Sequence, residues 1–134
     1  MAQTIKQVVV VRKDLNIRKG KLASQVAHAS QGFLLAHGDF EPRESGAVLF
    51  QTKLRPLEAQ WLQGPLKTKI VVWVNSEQEL KDLISAAIKQ GIRTCPVIDV
   101  GLTEFHGVPT LTCAAFGPDL SEFLDPITGH LPLL

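Results

Sequence analysis

The chain has 134 residues, 45% hydrophobic and 20% charged, with a formal net charge of +1. That length gives one domain (residues 1–134) with a full hydrophobic core, and no disulfide staples are needed. The longest apolar runs, around Val8 to Val11 and Ile70 to Val74, have strand length and fall far short of a membrane span.

The N-terminal MAQTIKQ lacks the apolar core and cleavage site of a secretory signal. A cytoplasmic location is therefore expected, with Cys95 and Cys113 as reduced thiols in buried strands. The near-neutral total hides a polarity. Residues 1–21 hold six Lys or Arg against one acid, and no Lys or Arg follows Arg93, where five acids remain. A basic face of this kind permits contact with a polyanion without requiring it.

In chain order, Ile5 to Arg12 reads as a strand buried on both faces, since its valines run without alternation. A basic loop follows, and Gly20–His37 reads as the first long helix, with Leu22, Ala23, Val26, Ala27, Ala29 and Phe33 on its buried side. HGDFEPRESG is expected as a surface loop, with Ala47 to Gln51 a short extension of the helical region. Pro56 suits the first turn of a helix, PLEAQWLQ, that stops at Gly64.

Thr68 to Val74 reads as the second strand. Ser76 and Glu79 form a capping box, and Leu80, Leu83, Ile84, Ala87 and Ile88 give a 3.6-residue stripe ended by Gly91. A third strand at Thr94 to Val100 carries Pro96, which suits an edge or an irregular start. The strand–helix–strand order predicts a parallel pair of the second and third strands. A fourth strand, Thr110 to Phe116, precedes a short helix near Asp119. These elements specify an α/β fold: a single-domain sandwich, a mixed sheet of about four strands with helices on both faces.

Two groupings carry chemistry. Lys21, Gln25 and His28 are spaced i, i+4, i+7 and project from one helix face beside Arg12, Lys13, Arg18 and Lys19. Asp99 lies where the third strand gives way to Gly101, with Thr103, Thr110 and Thr112 around the returning turn. Sites in open α/β sheets form outside the carboxyl ends of strands. There a carboxylate can position or deprotonate water, and a lysine can stabilise an oxyanion. A solvated basic loop, a packing histidine and a turn-capping aspartate are the structural readings of the same residues. No phosphate-binding glycine loop, serine elbow or metal-ligand spacing is present, which leaves a metal-free, acid-and-hydroxyl hydrolase or a plain binding module.

Four stretches then point to a family: VVVVRKDLNIRKGKLASQVAHAS (8–30), KIVVWVNSEQEL (69–80), DVGLT (99–103), and TLTCAAFGPD with TGHLPLL (110–119 and 128–134). In this order they resemble the type 2 peptidyl-tRNA hydrolases. The resemblance implies hydrolysis of the ester joining a peptide to the 3′ end of tRNA, without metal or cofactor, in a protein that is commonly a homodimer. It puts Lys21, Asp99, Thr103 and Thr112 at the active site with Gln25 and His28 in support. It sets Arg12, Lys13, Arg18 and Lys19 against the tRNA backbone, a salt-sensitive contact. The 38–54 loop looks longer than usual. Leu102 and Glu104 stand where the family usually has Arg and Gln, which makes the site less attractive to phosphate. Those two residues favour a competing expectation, a non-catalytic relative that binds RNA or a protein partner; a hydrolase of another ester or amide is a third.

Overall fold

The computed structural model describes residues 4–101 and 105–134. Its elements run β1 (Ile5–Arg12), α1 (Lys19–Leu35), β2 (Asp39–Pro42), β3 (Val48–Gln51), α2 (Pro56–Gln63), β4 (Lys69–Val74), α3 (Glu77–Lys89), β5 (Thr94–Asp99), β6 (Thr110–Leu120) and α4 (Ser121–Thr128). The main sheet has the order β4-β1-β6-β5.

The valines of β1 explain its central place. Val8 and Val10 pack with Leu80, Ala87, Phe116 and Leu124 on the α3/α4 face. Val9 and Val11 pack with Ala29, Cys113 and Ala115 on the α1 face. A strand covered by helices on both sides has no solvent-facing positions, hence its unbroken apolar run.

The expected pairing of the second and third strands does not occur. β4 and β5 lie at opposite edges, and the parallel pair is β1·β4, with Val8 opposite Ile70 and Arg12 opposite Val74. β6 inserts antiparallel between β1 and β5, so it takes the position that a simple crossover would have filled. Pro96 does sit on an edge strand, where its missing N–H costs no ladder bond.

The second correction concerns residues 38–51. In place of a surface loop and helical extension they form a β2–β3 hairpin, pairing Phe40 with Phe50 and Pro42 with Val48. The alternation of DFEP and VLFQ is too short to outweigh the turn residues around it. The hairpin is tied together by the Phe40–Phe50 ring contact at 4.8 Å. β6 also runs on to Leu120, so the last helix begins at Ser121.

Ser76 caps α3 as expected, its hydroxyl accepting from the Glu79 N–H at 3.1 Å. The returning half of the box goes one residue upstream, Glu79 Oε2 accepting from the Asn75 N–H at 2.7 Å. Cys113 is fully buried, whereas Cys95 is only half-buried.

α1 reaches β5 closely because residue 32 is glycine. A methyl there would lie 1.7 Å from Cys95 Sγ and 3.0 Å from its Cβ. Gly32→Ala is expected to lose about 1–2 kcal/mol in urea denaturation, overpacking outweighing the gain in helix propensity. The same change in a Cys95→Ala background should cost less, since only the 3.0 Å contact with Cβ remains. Equal losses in both backgrounds would mean that the sulfur is not the obstacle.

Candidate active site

β1, β4 and β5 point the same way, so Arg12 and Asp99 end their strands at one edge of the sheet, where β6 begins. Four of the sequence-predicted residues converge there. Lys21 Nζ lies 2.6 Å from Asp99 Oδ2. Gln25 donates from Nε2 to the same oxygen at 3.1 Å. Thr112 donates its hydroxyl to Gln25 Oε1 at 3.0 Å, with the Val97 carbonyl as a second acceptor at 3.3 Å. The other carboxylate oxygen, Oδ1, accepts from the Gly101 N–H at 2.7 Å.

Each position has a local cause. Lys21 and Gln25, one helical turn apart, share a flank of α1. Thr112 reaches the cluster through a β-bulge. Val97 pairs with Cys113 and Ile98 with Leu111, so β6 advances two residues where β5 advances one. The extra residue, Thr112, is turned toward α1 beside Cys113, whose thiol meets the Gln25 carbonyl at 3.5 Å. Gly101 is left-handed at φ 87°, which brings its N–H back onto the aspartate two residues earlier.

Asp99 is 8% exposed, yet its environment favours the charged form. The Lys21 bond first, then the Gly101 N–H, hold its pKa below the ordinary carboxylate value, against the opposing effect of burial; the Lys21 charge and Gln25 add to the lowering. Burial pushes the Cys113 thiol up to about 11 and raises Cys95 as well, so neither is disposed to act as a nucleophile at neutral pH.

The remaining expected residues fall differently. His28 is exposed on α1, and the bonds that join Lys21, Gln25, Asp99 and Thr112 do not run through it. Thr103, with Leu102 and Glu104, lies outside the described residues. Lys13, Arg18 and Lys19 are exposed around the start of α1, Lys13 with its ammonium 4.4 Å above the Trp73 ring. The first turn of α1 contains Lys19 and Lys21 and no acid, the reverse of what the helix dipole favours and a suitable setting for an anion. Arg12 is the exception in the basic run. Its guanidinium bonds Asp14 through two nitrogens, at 3.2 and 2.7 Å, and the Leu111 carbonyl at 3.0 Å.

An apolar groove of about 630 Å³ follows the other flank of α1, with Ala23, Val26, Val71 and Leu134 in its walls and Lys19 and Lys69 among its lining residues. A larger concavity, about 910 Å³, lies between α3 and α4 and shares no residue with the cluster. Its lining is acidic and does not suit a polyanion: Lys89 is the one basic lining residue beside Asp82, Asp119 and Glu122. Among the described residues no group of three His, Cys, Asp or Glu could hold a metal.

Sequence reasoning missed the bulge and the Asp14–Arg12 pair, and offered the Gly101 contact only as a turn cap in place of the site, whereas Asp99 makes both. The signal for that cap is a glycine two residues after the aspartate, the pattern of a carboxylate that folds back on its own turn.

The fold and the cluster together define an α/β protein with a lysine-bound carboxylate at the carboxyl edge of its sheet. Residues 5–134 match the family model described as "Peptidyl-tRNA hydrolase PTH2", and the chain belongs to that family. It is 43% identical over 129 residues to the peptidyl-tRNA hydrolase of Methanopyrus kandleri, covering 96% of this chain and 97% of that one. It is 39% identical over 134 residues to that of Thermococcus onnurineus, with the same coverage. For that of Methanocaldococcus jannaschii the figures are 38% over 130 residues, 97% of this chain and 100% of that one. A solved structure of a protein of unknown function from Agrobacterium tumefaciens strain C58 shares the fold, with a TM-score of 0.55 at 14% identity over 96% of both chains.

Proposed function

We propose that this protein hydrolyses the ester between a peptide, or an N-blocked amino acid, and the 3′ end of tRNA, at the cluster of Lys21, Gln25, Asp99 and Thr112. The observation that carries this reading is the 2.6 Å Lys21–Asp99 pair, in a chain whose family and relatives bear that name over nearly their whole length.

The geometry divides the work. A carboxylate held below its ordinary pKa is a poor proton acceptor at neutral pH, so Asp99 organises rather than deprotonates. It fixes Lys21 and orients the Gln25 amide, whose carbonyl is in turn held by Thr112. Lys21 then presents fixed positive charge to the ester as water attacks its carbonyl. The oxyanion that develops, and the ribose oxygen that leaves, are stabilised by a cation positioned in advance. Thr103 completes the hydroxyl set. His28 lines the approach on the same helix.

Lys13, Arg18 and Lys19 meet the tRNA backbone from the loop and first turn of α1. The protein works in the cytoplasm, where its substrate arises, and as a homodimer, which sedimentation would test. Among the described residues no helix is long and apolar enough to cross a membrane.

The test is release of tRNA from an N-acetylated aminoacyl-tRNA, followed between about 50 and 200 mM salt. Turnover above background that falls with salt is expected. Turnover of small neutral esters but not of acylated tRNA would replace this reading with a general esterase.

A further inference from the structure

The stretch from Arg12 to Lys21 holds five cations in ten residues, and four of them, Arg12, Lys13, Arg18 and Lys19, are expected at the tRNA backbone. The structure separates one of them. Arg12 has a side chain only 11% exposed, and three of its nitrogens are engaged within the fold. Two bond Asp14, and the third bonds the carbonyl of Leu111, 99 residues away in sequence.

The place of that third bond matters. The β1·β6 ladder ends with Val11 opposite Cys113. Beyond it β6 carries its extra residue, Thr112, and Leu111 is the first residue on the far side of the bulge. On the β5 side pairing resumes with Ile98 opposite Leu111, but on the β1 side, among the described residues, no ladder pair follows Val11–Cys113. On that side the Arg12 side chain makes the link. Asp14, two residues on, fixes the guanidinium in a planar fork, a geometry that an ammonium does not reproduce.

We propose that Arg12 is a positioning residue rather than a tRNA ligand. Clamped by Asp14, it anchors Leu111 and so fixes the bulge that presents Thr112 to Gln25 and Asp99. The inference rests on the reading of that cluster as the active site.

Three variants separate the roles: Arg12→Ala, Arg12→Lys and Asp14→Asn. The substrate is N-acetylated aminoacyl-tRNA, with kcat and KM taken at several salt concentrations and the backbone amide resonances of Leu111 and Thr112 as a structural readout. Each variant is expected to lower kcat by about ten- to a hundredfold, the effect of a displaced group near the chemistry. KM and the salt slope should stay near wild type, and the Thr112 amide should shift in all three.

Asp14→Asn is the decisive case because it keeps the cation and removes an acid. A phosphate ligand freed in this way would bind tRNA more tightly with kcat intact, and that result would overturn the proposal. So would Arg12→Ala raising KM and lowering the salt slope by about one without a change in kcat. Should Arg12→Ala not fold, Asp14→Asn and Arg12→Lys decide alone. Should wild type show no turnover, the hydrolase reading fails. The positioning role is then judged on the Thr112 amide and on the salt slope of tRNA binding: a still amide with a lowered slope overturns it, and a shifted amide with an unchanged slope supports it.

Discussion

Asp99→Asn is expected to lower kcat on acylated tRNA by about 10²–10⁴-fold while leaving a cooperatively folded protein. Asparagine fills the same volume and can still accept from the Gly101 N–H. It loses the charge that holds Lys21, and its amide nitrogen sets a donor against the donors of Lys21 and Gln25. Buried groups left without partners cost about 1–3 kcal/mol, so stability at neutral pH should fall by that order.

The pH dependence gives a second handle. The folded-state pKa of Asp99 is depressed, so its contribution is fully present above the unfolded value of ~3.9 and is lost as pH falls through the lower folded value. The stability gap between wild type and Asp99→Asn should therefore be constant from pH 5 to 8 and close in acid. No ionisation of Asp99 should appear in the kcat profile over that range. A limb near neutrality that vanishes in Asp99→Asn would mean that the carboxylate is the general base after all.

Gly101→Ala carries the largest expected effect on stability, about 2–4 kcal/mol in chemical denaturation. The residue is left-handed at φ 87°, and a methyl would lie 2.6 Å from Val108 N, 2.7 Å from Val108 O and 2.8 Å from the Gly107 carbonyl carbon. All three are backbone atoms, so no side chain can turn aside to make room. The N–H that Asp99 Oδ1 accepts from would move with the strained turn, and kcat should fall by about ten- to a hundredfold. A variant as stable and active as wild type would show that the turn after β5 relaxes freely.

How far the sequence disclosed this site depends on the link considered. Lys21 and Gln25 were legible because a helix puts i and i+4 on one flank. Asp99 was legible because strands of this class end at their sites. What brings those parts together was not legible. Thr112 faces the cluster through a bulge, and a bulge leaves no mark in a run of β-branched and small residues such as TLTCAA. The order β4-β1-β6-β5 is likewise a matter of long-range pairing. The β2–β3 hairpin reads in sequence as a loop and a helical extension because its four-residue strands lie among Gly, Pro and Ser. Arg12 looked like its cationic neighbours, since nothing local tells that its fork is filled by Asp14 and Leu111. His28 shares the spacing of Lys21 and Gln25 but is exposed, outside the bonded network.

The most direct test of the central claim is a double-mutant cycle on tRNA release, using wild type, Lys21→Met, Asp99→Asn and the double variant at low salt. If Asp99 acts by holding Lys21, the two losses are one loss counted twice. The double variant should then be no slower than the slower single variant. Losses that multiply would contradict this account and give the carboxylate and the lysine separate roles in the reaction.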